Sequence, residues 1–171
     1  HPNETSPQGL RNLPFALQVG ENDKSYRRNK IAVSWGEKLA ELQENDPQGY
    51  PHFVKIHKNK GHWMNLQDSI AVPWMAKHKR NKFPDRIVWK QDDVTHKRSY
   101  WISLPDEQIK PRGLIIVSKK DQSIDIQNKD QANQIDIMLN DEMVDFDKPV
   151  TVSHKGKVIF ERKPRRSISE I

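Results

Sequence analysis

Two hydrophobic periods divide the chain. From about residue 10 to residue 80, short apolar runs alternate with stretches whose apolar positions recur at helical spacing. Residues 13–20 (LPFALQVG) form an apolar run ending in glycine, as a buried parallel strand does. Residues 29–44 (NKIAVSWGEKLAELQE) place Ile31, Trp35, Leu39 and Leu42 on one helical face, with Asn29 as the expected cap and NDPQG as the stop. Residues 52–57 (HFVKIH) read as a second strand. Residues 66–78 (LQDSIAVPWMAKH) read as a second helix, interrupted or restarted near Pro73. Strand, helix, strand, helix predicts a parallel sheet of the α/β kind.

From Pro84 onward the period becomes two. Residues 85–91, 98–104, 113–120, 123–127, 134–140, 149–155 and 157–163 each alternate, and the last two meet at Gly156 in an expected hairpin. About seven short strands over so short a stretch predict an antiparallel β-sandwich of immunoglobulin-like size. The fold class expected is therefore α/β plus all-β, with an α/β part over 1–80 and a β-sandwich over 84–171. The boundary lies in the basic segment KRNKFP. The α/β part has a physical difficulty, because two parallel strands and two helices do not make a sheet covered on both faces. Further strands are expected from a larger domain, or from a second copy pairing at the open edges of residues 13–20 and 52–57.

Composition narrows the function classes. The 171 residues are 34% hydrophobic and 30% charged, yet five Trp, five Phe and three Tyr supply core anchors. The net charge is +6, but acids and bases are interspersed. The compact basic runs KHKRNK (77–82) and RKPRR (162–166) read as a solvated linker and tail rather than as a nucleic-acid surface. With no cysteine, disulfides, thiolate metal sites and a cysteine nucleophile are excluded. No apolar run approaches bilayer length, so no membrane partner is expected. The opening HPNETSPQGLRN lacks the pattern of a signal peptide, and a chain opening at His1 is expected to be a processed product or an excised piece.

The candidate chemistry lies at two strand ends. Asp23 follows the expected strand that ends at Gly20, and His62 sits on the loop after the expected strand 52–57, flanked by Gly61 and Trp63. The carboxyl ends of parallel strands are where catalytic groups gather. If the strands are neighbours, Asp23 and His62 emerge side by side, and Gly61 would let the ring point inward. A carboxylate on an imidazole fixes its tautomer and lets it serve a hydroxyl nucleophile as general base. Glu21 and Asn22 lie close enough to compete with Asp23 for that place.

These segments resemble the C-terminal end of the α/β-hydrolase superfamily, in which the chain order is nucleophile, acid, histidine. LPFALQVGENDKSY is similar to the penultimate strand and acid loop, HFVKIHKNKGHWM to the last strand and histidine loop, and DSIAVPWMAKH to the closing helix. More narrowly, the chain resembles secreted bacterial esterase- or peptidase-like hydrolases with an appended β domain after VWKQDD. The resemblance implies catalytic roles for Asp23 and His62, an ester or amide substrate, no cofactor, and a periplasmic or secreted location. The chain departs from the family at the nucleophile: it contains no G-x-S-x-G, and Ser6, Ser25, Ser34 and Ser69 lack the flanking glycines. The chain is therefore expected to be the C-terminal part of a serine hydrolase, inactive alone.

Other clusters carry weaker expectations. His52 and His57 fall on opposite faces of one strand and cannot join His62 on one metal. Asp92, Asp93 and His96 read as a polar connection, and Asp141, Glu142, Asp145 and Asp147 lack the glycine of an EF-hand loop. No metal site is expected. Trp89 and Trp101 read as core; if instead they and Tyr100 formed an exposed row, the chain would be a carbohydrate- or protein-binding module without catalysis.

Overall fold

The computed structural model describes residues 6–166. The chain is mixed α/β, mostly sheet with few helices, and divides into two compact units between Asn81 and Lys82.

The first unit is built on two parallel strands, β1 (Phe15–Gly20) and β2 (His52–His57), joined through helix α1 (Arg28–Asn45). A 3-10 turn over Gln67–Ile70 leads into the short helix α2 (Ala71–Met75), which contains Pro73 in its first turn, where a missing N–H costs nothing. Alternation along the strands gives the sheet two distinct faces. On one, Gly36 of α1 lies against Val54 and the ring of Trp35 against Phe15. On the other, Phe53 meets Trp74 of α2 with ring centroids 5.8 Å apart. Leu39 is fully buried beneath α1. The strands themselves are mostly half-buried, not buried as their apolar content suggests, because among the described residues the sheet has only two strands.

The N-terminal end of α1 differs from expectation, while its C-terminal end stops within NDPQG as expected. Asn29 does not cap it; the preceding residues Tyr26 and Arg27 are left-handed (φ 52° and 60°), and the Asn29 amide donates to the Glu21 carbonyl at 2.8 Å. At the other end Asp46 accepts a two-pronged contact from buried Arg11, Nε to Oδ2 at 2.7 Å and Nη2 to Oδ1 at 2.9 Å. That fork ties the helix end to the segment entering β1.

The second unit holds β3 (Arg86–Lys90), β4 (Arg98–Ser99), β5 (Ile102–Ser103), β6 (Leu114–Lys120), β7 (Ser123–Asn128), β8 (Asp136–Ile137), β9 (Val150–His154) and β10 (Lys157–Arg162). They form a five-stranded sheet in the order β10-β9-β7-β6-β3 and a three-stranded sheet in the order β4-β5-β8. One hydrophobic cluster draws on both sheets, with Ile87, Val117, Ile124 and Val150 from the larger and Ile102 from the smaller. Lys155 and Gly156, both at positive φ, turn β9 into β10 as the hairpin signal predicts.

Three expectations are corrected here. The strand expected over 98–104 is broken at Tyr100 (φ 53°) and folds back on itself as β4 and β5. The strand expected over 134–140 shrinks to the two residues of β8. The unit is not purely antiparallel, since β7 pairs β9 in parallel. A parallel pair needs a long crossover, and the stretch between them supplies it while placing β8 in the other sheet.

Leu39→Ala should destabilise the first unit by about 2–5 kcal/mol, whereas Val33→Ala on the exposed side of the same helix should stay within about 0.5 kcal/mol. Urea unfolding followed by tryptophan fluorescence measures both.

Candidate active site

The register of β1 and β2 sets the site. Gly20 pairs with His57, so both strands end together and their following loops leave the same edge. The loops are then tied by backbone hydrogen bonds, Glu21 N–H to the His57 carbonyl at 2.9 Å and Asn22 N–H to the Lys60 carbonyl at 2.8 Å. The Glu21 carboxylate adds a third tie, accepting from Asn59 N–H at 2.9 Å. Glu21 is thereby committed to the loop, and Asp23 is the acid that meets the histidine.

Asp23 Oδ2 lies 2.8 Å from His62 Nδ1. The Asp23 side chain is 5% exposed and that of His62 is 79% exposed. Asp23 Oδ1 accepts from Arg28 Nη1 at 3.2 Å. The hydrogen bond from His62, opposed by desolvation and reinforced by Arg28, holds the Asp23 carboxyl below its ordinary 3.8. An ionised carboxylate only accepts, so Nδ1 carries the proton and donates it. In neutral His62 the lone pair is then on Nε2, which has no hydrogen-bond partner among the described residues. The arrangement can accept a proton at Nε2 while the buried carboxylate stabilises the resulting imidazolium.

The glycine that matters is not the expected one. Gly61 is open, since a Cβ there would meet nothing within 4 Å, and the ring of His62 faces solvent rather than pointing inward. Gly20 is the tight place: a Cβ there would lie 2.0 Å from the Gly61 carbonyl oxygen and 2.5 Å from that of Lys60. Only a residue without a side chain lets the histidine loop cross the end of β1. Arg28 is equally invisible to motif reading. Its one signal is a cation at a helix N-terminus, against the helix dipole.

The remaining candidates are placed elsewhere. His52 Nδ1 contacts the Tyr50 carbonyl at 2.8 Å and His57 Nε2 contacts Gln18 Oε1 at 2.8 Å. Among the described residues no group of three or more His, Asp or Glu is arranged to hold a metal. Asp93 pairs with Arg112, and Asp145 with Lys148. Arg166 is exposed, as expected of a solvated tail, and there forks onto Asp141 at 2.6 and 2.8 Å and lies over the Phe146 ring. Trp89 and Trp101 are buried, and the Trp101 indole donates to the Pro84 carbonyl at 2.8 Å. They offer no exposed stacking row.

Comparison with protein-family models, with curated proteins and with solved structures finds no match.

Two outcomes follow from this geometry. Gly20→Ala should push the 60–62 loop away and abolish the low-field Nδ1 proton signal of His62 in NMR spectra, while the helical circular dichroism of α1 persists. Because the Asp23 carboxyl is depressed in the folded chain, its contribution to stability is complete above about pH 4 and is lost as pH falls through the lowered folded value. Asp23→Asn should therefore lower stability at neutral pH, and the gap from the unaltered chain should close in acid; urea midpoints taken across pH 2–7 measure this.

Proposed function

We propose that Asp23 and His62 are the acid and general base of a serine hydrolase acting on an ester or amide. The observation that carries this reading is the asymmetric imidazole: Nδ1 is held by a buried carboxylate and Nε2 is left free and exposed among the described residues. His52 and His57 are also bonded at one nitrogen only, but to a backbone carbonyl and an amide; His62 alone of the three is held by a buried carboxylate and is exposed at its other nitrogen. This one is oriented at one and open at the other, as a base serving an external hydroxyl must be.

On this reading the first unit corresponds to the last two strands and helices of an α/β-hydrolase sheet, and the second unit is an immunoglobulin-like accessory domain. The acid–helix–strand–histidine order and the parallel pairing support the first correspondence. The nucleophile comes from polypeptide beyond these 171 residues, since no two of the seven glycines lie four apart to frame a G-x-S-x-G. The surroundings of His62 favour an approach by more protein. Trp63 and Leu66, on its loop, are 73% and 71% exposed, apolar side chains that further polypeptide would cover.

His62 would take the proton of the attacking serine and return it to the leaving group, with Asp23 keeping the ring's tautomer throughout. A periplasmic or secreted setting is part of the proposal. Pairing of copies through the open edges of β1 and β2 is the alternative to a larger hydrolase sheet.

The test uses an antibody to this chain and a fluorophosphonate probe on one gel of the source extract. A labelled band well above the 20.1 kDa of this chain is expected. An unlabelled band at that mass would sink the reading. In the labelled hydrolase, Asp23→Asn should lower kcat on the order of 10⁴-fold by allowing the wrong tautomer.

A further inference from the structure

We propose that Arg28 is a positioning residue for the Asp23–His62 pair, holding one carboxylate oxygen so that the other stays aimed at the imidazole. The inference rests on the hydrolase reading for its purpose, but its geometry stands independently.

A carboxylate bonded only to the exposed His62 ring could rotate about its terminal torsion, which has broad minima. Arg28 removes that freedom. Its Nη1 donates to Oδ1 at 3.2 Å while His62 occupies Oδ2 at 2.8 Å, so the two oxygens are assigned to different partners. The Asp23 backbone is held as well: its N–H donates to the Gly20 carbonyl and its carbonyl accepts from Asn29 N–H. Glu21, the neighbouring acid, is turned to Asn59 and does not compete.

The chain accepts two local costs to place this arginine. Arg28 is the first residue of an eighteen-residue helix with no acid in its first turn, where the dipole disfavours a cation. It is reached through Tyr26 and Arg27, two consecutive non-glycine residues in the left-handed region. Strain of this kind persists where surrounding structure imposes it, and it clusters at functional sites. Here it reverses the chain so that the Arg28 side chain returns to Asp23, five residues back, with its guanidinium 5.0 Å from the centre of the Tyr26 ring. The Arg28 side chain is 41% exposed, so burial of its own stem does not account for its placement.

The experiment uses the full chain and needs no nucleophile. The Asp23 carboxyl is titrated by carbon NMR, and the width of the His62 Nδ1 proton signal is recorded, in the unaltered protein, Arg28→Gln and Arg28→Lys. Arg28→Gln is expected to move the Asp23 midpoint upward and to broaden the Nδ1 signal at least about twofold, with Arg28→Lys restoring the midpoint. An unchanged midpoint and line width in Arg28→Gln would overturn the proposal. So would equal loss of α1 helicity in both variants, which would make Arg28 a structural residue only. In the serine-bearing hydrolase, Arg28→Gln should reduce kcat by up to about 10²-fold with KM little changed. Failure of fluorophosphonate labelling with this titration intact would remove the hydrolase and leave the positioning, so the two readings fail separately.

Discussion

The parallel pairing of β1 with β2 is the constraint on which the site depends. Parallel strands joined by a helix place successive loops at one edge of the sheet, and the register here ends both strands together at Gly20 and His57. Residues 39 positions apart are thereby brought within hydrogen-bonding distance. A register slip of one residue would turn Gly20 and its tight crossing to the other face and separate the loops. The backbone ties between residues 20–23 and 57–62 then fix a position that the strands alone would only approximate.

Burial distributes the chemistry of the pair. Asp23 is enclosed, and its two carboxylate oxygens accept from His62 Nδ1 and Arg28 Nη1. His62 is exposed, so its second nitrogen is available. The same small unit leaves Trp63 and Leu66, on the His62 loop, in water, a poor arrangement for a piece stabilised only by itself. A larger hydrolase sheet, as proposed, would answer both observations at once, since added polypeptide would cover the apolar loop and bring a hydroxyl to Nε2.

The second unit is organised differently. Strands β6, β7 and β9 bury alternate residues in a core drawn from two sheets, and ion pairs such as Asp93–Arg112, Asp145–Lys148 and Asp141–Arg166 lie at its surface. Its tryptophans serve that core. The basic run that reads as solvated is largely exposed, and one of its members, Arg166, adds an exposed fork onto an acid 25 positions away and a contact with an aromatic ring.

The sequence by itself determined the change from helical to strand period near residue 84, the strand–helix–strand order of the first unit, the hairpin at Gly156, and Asp23 and His62 as the residues at the two strand ends. Each of these is encoded within a few neighbouring positions, by periodicity or by turn chemistry. Only the tertiary structure decided that Asp23 rather than Glu21 meets the histidine, that Gly20 rather than Gly61 is the required glycine, that Arg28 holds the second carboxylate oxygen, and that β7 and β9 run parallel. These are contacts between residues distant in the chain or set by a strained turn. No local pattern specifies them, because they arise from which strands pair, in which register, and how closely the loops beyond them then cross.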